Sequence, residues 1–394
     1  MNYYELDKEY VLNTYKRIPL NVTSAKGGYI YDENGKKYLD MYSGIAVLHL
    51  GHCDEGLENA MINQIKKYVH LSNYFSSEPV VELAKKFVEN TFANKVFFAN
   101  SGTEANEGAL KLAVKWGKET KGDNIEIIST LNGFHGRTTG ALALTGQPDK
   151  QTPFSTILPN VKYIKYNNIE DLKNVVNENT CAIFLEAIQG EGGIVELDTE
   201  FVKVLHELKE KYNFLIVMDE IQAGLGRTAN ELFAYEAYGV NPDIVTVAKG
   251  VGGGLPLGAI LVSEKLENVF KPGDHGTTFG GNPVACAAGN YILSKVLDKD
   301  FMLEVKNNAK YLRDSLNTLK DKYPQYITNI TGRGYMLGLQ MGEYANIVKD
   351  KGFEENLLLN VTSGTVLRLL PRINMPKIEI DEFLNKFENI LKNL

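Results

Sequence analysis

A lysine and an acidic residue stand at the ends of two apolar, β-branched segments of the chain. Lys249 follows residues 243–248 and precedes a glycine-rich turn, and Asp219 follows residues 214–218. We predict that both segments are buried strands joined by one helix, which would bring the two side chains to the carboxyl edge of a parallel sheet. An amine that forms a Schiff base and a carboxylate that faces a ring nitrogen are what pyridoxal phosphate requires of a protein.

The predicted helix start after residue 100 is a candidate anion site. Residues 97–107 are predicted to run from a strand into a helix, and Ser101 and Glu104 have the spacing of a capping box. Gly102 would let a ligand approach the backbone, and the free amides of a helix start favour a phosphate. An ordinary helix cap explains the same residues, so the phosphate hypothesis depends on the presence of the lysine and the acid.

Phe134 and Arg137, three residues apart after a predicted strand, are candidate ligand-binding residues. The phenyl ring could stack on a planar cofactor, and the guanidinium could hold a carboxylate through paired hydrogen bonds. Core packing of Phe134 and a surface ion pair of Arg137 are the alternatives. We interpret His49 and His52, which lie in a glycine-containing loop, as structural.

A different enzyme class is suggested by residues 224–229, Gly-Leu-Gly-Arg-Thr-Ala, which match the glycine pattern of dinucleotide-binding proteins. In those proteins the glycines follow the strand immediately, whereas here residues 219–223 intervene. No acidic residue stands at a second strand end about twenty residues further on, where the ribose contact belongs. The sequence therefore disfavours a nucleotide-binding dehydrogenase.

Composition restricts the class of protein further. The 394 residues are 44% hydrophobic and 23% charged, which predicts a globular protein of two domains. A net charge of −7 without a basic run argues against nucleic acid as a partner. Cys53, Cys181 and Cys286 are too scattered to indicate a disulfide framework or a metal site. Neither a signal sequence nor an apolar stretch of about 18 residues is evident, so we expect a cytoplasmic protein without membrane contact.

Short apolar segments alternate with amphipathic ones, a pattern typical of an α/β fold with a largely parallel sheet. A helix is predicted from Thr199 to Tyr212, where apolar residues recur at helical spacing. The pair Asn34-Gly35 predicts the turn of a hairpin. Strands are predicted near residues 94–100, 125–129, 161–165, 181–187, 214–219, 244–248 and 258–263.

The domain boundaries follow from a change of composition after about residue 290, where long charged helical segments replace the alternating pattern. We expect residues 51–289 to form the large domain. Residues 1–50 and 290–394, from the two ends of the chain, are expected to form the smaller one.

Taken together, these motifs resemble the class III pyridoxal phosphate-dependent aminotransferases over nearly the whole chain. The resemblance depends on Ser-Gly-Thr-Glu-Ala-Asn-Glu from Ser101, Phe-His-Gly-Arg-Thr from Phe134, Gln-Gly-Glu-Gly-Gly from Gln189, Asp-Glu-Ile-Gln from Asp219, Ala-Lys-Gly from Ala248 and His-Gly-Thr-Thr-Phe-Gly-Gly-Asn-Pro from His275. Within the class, residues 44–47, 50–52 and 72–74, with Phe134-His135-Gly136-Arg137, are most similar to the acetylornithine aminotransferase subfamily.

The resemblance implies fold-type I: an α/β protein with a mostly parallel central sheet and flanking helices, plus a smaller α+β domain from both chain ends. It also implies a homodimer with active sites at the interface. Lys249 would bind pyridoxal 5′-phosphate as a Schiff base, Asp219 would pair with the pyridine nitrogen, Gln222 would contact the phenolic oxygen and Phe134 would stack on the ring. The other implied cofactor contacts are Ser101, Gly102, Thr103, Glu220, Ile221 and, for the phosphate of the partner subunit, Thr278.

For the substrates, the resemblance implies transfer of the terminal amino group of N2-acetylornithine to 2-oxoglutarate, a reaction of arginine biosynthesis. Arg137 would hold the substrate carboxylate, with Thr277 beside the substrate. Glu191 would mask Arg368 while the donor is bound and release it for glutamate, and Glu186 would lie nearby. A fixed structural ion pair is the alternative to this switch.

Three departures from the family pattern leave the donor open. Ala187 stands where proline is common, Asp54-Glu55 replaces His-Pro, and Ala229 replaces a frequent glycine. None of these removes a chemical group, but each could alter a loop at the mouth of the site. Ornithine, succinylornithine or 4-aminobutyrate thus remain alternative donors, and a mutase or a non-catalytic binding protein of the same fold is a more distant alternative.

Overall fold

Seventeen strands and thirteen α-helices occur along residues 2–394, the part of the chain that the computed structural model describes. The strands are β1 (Val22–Lys26), β2 (Tyr29–Asp32), β3 (Lys37–Asp40), β4 (Lys95–Ala99), β5 (Glu126–Thr130), β6 (Lys162–Ile164), β7 (Thr180–Glu186), β8 (Ile188–Gln189), β9 (Val195–Glu196), β10 (Leu215–Asp219), β11 (Ile244–Val247), β12 (Gly258–Val262), β13 (Asn329–Arg333), β14 (Met336–Gln340), β15 (Leu357–Leu358), β16 (Asn360–Thr362) and β17 (Val366–Leu369). The helices are α1 (Tyr3–Tyr10), α2 (Ser43–Ala46), α3 (Glu55–Ile65), α4 (Glu78–Asn90), α5 (Gly102–Lys121), α6 (Thr139–Leu144), α7 (Pro148–Gln151), α8 (Ile169–Val175), α9 (Thr199–Tyr212), α10 (Pro283–Val296), α11 (Lys299–Lys322), α12 (Tyr344–Glu354) and α13 (Lys377–Lys392).

A seven-stranded sheet in the order β4-β12-β11-β10-β7-β5-β6 forms the centre of the molecule. The pairs from β11 to β6 are parallel, and β12 is antiparallel to both of its neighbours. All seven predicted strands are present, with ends within one residue of the prediction. Strands β7, β10, β11 and β12 are buried along their whole length, as continuous apolar segments require. The predicted mostly parallel sheet is therefore confirmed.

The predicted helix between β10 and β11 is wrong. Turns and a 3-10 helix, Ala234–Tyr238, connect these strands instead. Left-handed backbone at Leu225, Gly226 and Ala229 interrupts helical hydrogen bonding, and Ala229 adopts a φ of +67°, a conformation that favours glycine. The two strands are nevertheless adjacent and parallel. Because no helix follows residues 224–229, the dinucleotide-binding geometry is absent from this part of the chain.

Two helices agree with the bounds that the sequence predicts. Helix α9 occupies the predicted range from Thr199 to Tyr212 and is capped by the Asp198 side chain. Its chain leaves through Asn213 in the left-handed conformation, a common helix end. Helix α5, which starts at Gly102, packs across β7, β10, β11 and β12 and thus lies over the centre of the sheet.

The two ends of the chain meet in a second group of strands. Strands β1, β2 and β3 form an antiparallel sheet that β15 extends in parallel next to β3, so the amino-terminal strands pair with a carboxyl-terminal one. The predicted hairpin turn is present, with Gly35 at a φ of +74°. Strands β13, β14, β17 and β16 form a further antiparallel sheet. This pairing supports the prediction of a small domain built from both chain ends.

Isolated residues that could have indicated other functions make structural contacts. His49 is buried with its Nε2 3.3 Å from the Gly224 carbonyl, and His52 pairs with Asp40 at 3.0 Å. All three cysteines are free thiols. No helix within residues 2–394 is long and apolar enough to cross a membrane.

Candidate active site

A cavity of 410 Å³ opens at the carboxyl edge of the central sheet. Its volume is in the range of small-molecule and cofactor sites. Ten of the residues predicted from the sequence line it: Ser101, Gly102, Thr103, Phe134, Arg137, Glu186, Asp219, Ile221, Gln222 and Lys249.

Lys249 lies two residues after the end of β11 and has left-handed backbone, φ +49°. The next residue is a glycine because a Cβ at Gly250 would lie 2.1 Å from the buried His49 ring. Burial lowers the pKa of the Lys249 amine to about 8, and the positive charge of Arg368 acts in the same direction, against smaller opposing effects of Glu191 and Asp219. A substantial fraction of this amine is therefore neutral, and available as a nucleophile or base, near pH 8.

Asp219 ends β10 and is 4% exposed. Its carboxylate accepts three hydrogen bonds: from Asn106 Nδ2 at 2.8 Å, from His135 Nδ1 at 2.7 Å and from the Ile221 amide at 3.0 Å. A carboxylate has about four acceptor positions, so about one is left for a donor within the cavity. A protonated ring nitrogen is a donor of the required kind.

His135 helps to stabilise the negative charge of Asp219. Burial alone would lower the pKa of His135, but the hydrogen bond and the charge of Asp219 outweigh burial and raise it. The bond to a carboxylate assigns the proton to Nδ1, because the carboxylate oxygen accepts. The His135 Nε2 atom is buried without a hydrogen-bond partner, and the imidazole packs edge-on against the Phe184 ring with 6.3 Å between the ring centroids.

The start of helix α5 has the features of an anion site. Ser101 Oγ accepts from the Glu104 amide at 3.2 Å, and the amides of the first turn have no partners within the helix. A Cβ at Gly102 would lie 2.7 Å from Ile221 Cδ1, so only glycine fits there without displacing Ile221. The predicted capping box is partly wrong: the Glu104 carboxylate accepts from the Asn100 amide, at 2.6 Å, rather than from that of Ser101.

Phe134 and Arg137 reach the cavity from the loop after β5. The Phe134 amide donates to Glu186 Oε2 at 3.1 Å, and the Arg137 guanidinium lies 5.4 Å from the centroid of the Phe134 ring. Arg137 is exposed, so its charge is accessible to a ligand that enters from solvent. The cation–π contact pre-orients the guanidinium over the mouth of the cavity.

Arg368 and Glu191 form an ion pair of 2.5 Å between Nη1 and Oε1, next to the cavity. The arginine side chain is 3% exposed, whereas that of Glu191 is 31% exposed. Asn360 Oδ1 accepts from Arg368 Nε at 3.0 Å and from Nη2 at 2.7 Å, and Gln222 Oε1 accepts from Nη1 at 3.3 Å. The arginine is thus held by neutral acceptors as well as by Glu191.

Glu186 is buried beside these groups at the end of β7, directly opposite Asp219 in the sheet. Its carboxylate accepts from the amides of Phe134 and Gly190. Burial raises the pKa of Glu186, and the negative charge of Asp219 acts in the same direction, against an opposing effect of His135.

Besides Glu191 and Arg368, which lie next to this cavity, three predicted site residues lie outside it. Both oxygens of the Glu220 carboxylate accept backbone amides, those of Ala234 and Tyr235 at 2.8 Å, so its side chain anchors the 3-10 helix instead of lining the cavity. Thr277 contacts the cavity indirectly through Asn100, whose Nδ2 donates to Thr277 Oγ1 at 3.0 Å. Thr278 lines a separate surface pocket with Phe279. Within a single chain, Thr278 does not contribute to the Lys249 cavity.

Sequence reasoning missed Asn106, His135 and Asn360 as functional residues. The signal for Asn106 was available, because a polar side chain on the buried face of a predicted helix needs partners. For Asn360, the signal was its position in a strand near Arg368, but the pairing register could not be read from the sequence.

The cavity fits pyridoxal phosphate on the features of the chain itself. A buried amine of lowered pKa, a carboxylate with a spare acceptor position and a glycine-containing helix start face one space. These supply an aldehyde-binding group, a partner for the ring nitrogen and a phosphate site. The residues present thus match the three parts of the cofactor that need polar contacts.

Comparison with known proteins agrees with this geometry. Residues 10–391 match the family model described as "Aminotransferase class-III". The chain is 44% identical to an acetylornithine aminotransferase of Caldanaerobacter subterraneus subsp. tengcongensis, covering 98% of both chains. It is 42% identical to a succinylornithine transaminase of Photorhabdus laumondii, covering 93% of this chain and 92% of that one.

Among solved structures, the N-acetylornithine aminotransferase of Stenotrophomonas maltophilia is similar, with a TM-score of 0.84, 32% identity and coverage of 99% of this chain and 98% of that one. The family model matches almost the whole chain, and the cavity fits the cofactor of that family. The chain therefore belongs to the class III aminotransferases, and its cofactor is pyridoxal 5′-phosphate.

Proposed function

We propose that this protein transfers the terminal amino group of N2-acetylornithine to 2-oxoglutarate, which gives N-acetylglutamate 5-semialdehyde and glutamate. The proposal is carried by one observation: Arg368 is buried beside the Lys249 cavity and is paired with Glu191, a half-exposed carboxylate that can move away from it. The two substrates differ at this place, because glutamate brings an α-carboxylate there and the donor does not. The similarity to acetylornithine aminotransferases supports the same donor.

Bound pyridoxal phosphate supplies an electron-withdrawing ring that makes the proton on the amine-bearing carbon acidic. Lys249 then holds and moves that proton, and its lowered pKa of about 8 suits a group that must gain and lose a proton in each half-reaction. Asp219 would keep the ring nitrogen protonated, and Phe134 would stack on the ring. The amides of Gly102 and Thr103 would bind the phosphate, and Gln222 would contact the phenolic oxygen.

Arg137 binds the α-carboxylate of the donor, because it is the exposed cation at the mouth of the cavity. Arg368 binds the α-carboxylate of glutamate. A buried arginine without an anion is strongly disfavoured, so Glu191 leaves only as another carboxylate arrives. Glu191 therefore acts as a removable mask over Arg368.

We further propose that the protein is a cytoplasmic homodimer. Large apolar side chains are exposed next to Thr278, with Tyr74 95%, Phe75 69% and Phe279 61% exposed in the single chain. Exposed apolar groups of this size favour burial in an interface. Dimerisation would carry Thr278 to the phosphate site of the partner, which accounts for its distance from the Lys249 cavity.

A single half-reaction tests the donor. The purified protein is mixed with N2-acetylornithine, N2-succinylornithine, ornithine or 4-aminobutyrate, and conversion of the bound cofactor to pyridoxamine phosphate is followed by absorbance. We expect the highest kcat/KM with N2-acetylornithine, with N2-succinylornithine second because one similar relative is a succinylornithine transaminase.

Lys249→Ala provides the control, since conversion must cease without the buried amine. A protein that converts 4-aminobutyrate or ornithine fastest would contradict the proposed donor. Sustained turnover by Lys249→Ala would contradict the role of Lys249 itself.

A further inference from the structure

Asn106 is a fully buried side chain on helix α5 that connects three parts of the active site. Its Nδ2 donates to Asp219 Oδ2 at 2.8 Å and to the His135 carbonyl at 2.7 Å. The helix that carries it also presents Gly102 and Thr103 at its first turn. One amide thus links the phosphate helix, the acid for the ring nitrogen and the segment that carries the stacking ring.

The orientation of this amide follows from its neighbours. A carboxylate and a carbonyl only accept hydrogen bonds, so the NH₂ group of Asn106 must face Asp219 and His135. The Asn106 Oδ1 atom then faces Thr246 Oγ1, 2.8 Å away, and the threonine hydroxyl must donate. Thr246 is itself fully buried on β11, directly opposite Asp219 in the sheet. The two interactions form a directed chain from Thr246 through Asn106 to Asp219.

We infer that Asn106, oriented by the Thr246 hydroxyl, is a positioning residue that holds the Asp219 carboxylate aimed at the ring nitrogen of the cofactor. The inference rests on the role proposed above for Asp219, and neither Asn106 nor Thr246 need touch the cofactor. Of the three donors to the Asp219 carboxylate, the Ile221 amide belongs to its own loop and His135 can change its protonation state. Of the two side-chain donors, Asn106 and His135, Asn106 is the one that does not titrate.

Two physical consequences follow. Without the Asn106 amide, the Asp219 carboxylate loses a charge-assisted hydrogen bond and gains freedom to rotate away from the cavity. The His135 carbonyl also loses its donor, which loosens the loop that carries Phe134. Both effects weaken cofactor binding, and both act equally on the two half-reactions, because Asp219 serves each of them.

The experiment compares Thr246→Val with Thr246→Ser and with Asn106→Ala. The dissociation constant for pyridoxal phosphate is measured by titrating each apoprotein. We expect it to rise about 3- to 10-fold in Thr246→Val, where a neutral hydrogen bond is lost, and about 10- to 100-fold in Asn106→Ala, where a bond to a charged group is lost. Thr246→Ser, which keeps the hydroxyl, should restore binding to within about twofold.

Thr180→Val is the matched control, because Thr180 is equally buried at the opposite edge of the same sheet, at the start of β7, and its Oγ1 accepts from the Asn177 amide. It should lower Tm without changing the cofactor affinity. The thermal transition of each apoprotein reports whether the variant folds. The rate constants for the donor and for glutamate should fall by the same factor in Thr246→Val.

The inference is overturned if Thr246→Val and Asn106→Ala bind the cofactor as tightly as the unaltered protein. It is also overturned if Thr246→Ser weakens binding as much as Thr246→Val, since packing rather than the hydroxyl would then be responsible. Because the affinity measurement uses no amine donor, an error in the proposed substrate leaves this outcome unchanged.

Discussion

Replacing Glu191 by glutamine tests whether this side chain discriminates between the two substrates. In the protein, the Glu191 carboxylate lies 2.5 Å from the Arg368 guanidinium, which is 3% exposed. An incoming α-carboxylate must displace this charged partner. A glutamine keeps the shape and one acceptor of the side chain but removes its charge. Glutamate can then displace the side chain at position 191 from Arg368 more easily. When the donor is bound, however, the charge of Arg368 is less well neutralised.

The magnitude follows from the difference between hydrogen bonds to charged and to neutral partners, about 1–1.5 kcal/mol for a bond to an arginine. We expect kcat/KM for glutamate to rise about 10-fold and that for N2-acetylornithine to fall about 10-fold, a change of about 100-fold in their ratio. The opposite signs are the decisive feature, because a general disturbance of the site would lower both values.

The same substitution should shift the pH dependence. Glu191 raises the pKa of Lys249 and Arg368 lowers it, so removal of the glutamate charge moves that pKa further below its present value of about 8. The lysine must be neutral to accept a proton, so the rise of the donor half-reaction with pH should occur at lower pH in Glu191→Gln.

The assay is single-turnover absorbance with each substrate from pH 6 to 10, and Glu207→Gln, an exposed glutamate on α9, is the control. If Glu191→Gln altered both substrates by one common factor, Glu191 would be a fixed structural partner of Arg368 rather than a mask.

Two further predictions concern the support of Lys249. Gly250→Ala should lower the free energy of unfolding by about 1–3 kcal/mol in denaturant unfolding, because the new methyl group would lie 2.1 Å from the His49 ring. The same substitution should displace Lys249 and so reduce turnover. Unchanged stability and turnover would show that the His49 ring moves freely. Burial lowers the pKa of His49 from 6.5 to about 3, so the folded protein binds fewer protons there than the unfolded chain, and stability should fall as pH decreases from 6.5 towards 3. His49→Gln should flatten this part of the Tm profile relative to the unaltered protein, and an equally steep acid limb in the variant would assign the loss to other groups.

Much of the fold was predictable because its determinants are local. Strands β7, β10, β11 and β12 are continuous apolar segments, and such segments are buried wherever they occur. The bounds of α9 follow from its apolar period and its capping aspartate. The failure between β10 and β11 was also physical: the strands pair in parallel, but turns replace the expected helix because left-handed residues interrupt the segment.

The site shows the same division between local and non-local information. The resemblance implied a cofactor contact for Glu220, next to Asp219. Successive residues at a strand end point in opposite directions, however, and the Glu220 carboxylate accepts the amides of Ala234 and Tyr235 instead. The Glu191–Arg368 ion pair, expected from resemblance, is present, whereas the Asn360 contacts that hold the arginine were unexpected.

The sequence by itself determined that a lysine and an acid end two buried strands, that a capped glycine-containing helix start is present, and that these motifs resemble one enzyme class. Only the tertiary structure decided which polar groups meet around Asp219. Asn106 and His135 are 113 and 84 residues away from it along the chain, and both lie within 3 Å of its carboxylate. Hydrogen bonds depend on distances of this size, and only the packing of α5 on the sheet brings such distant residues that close.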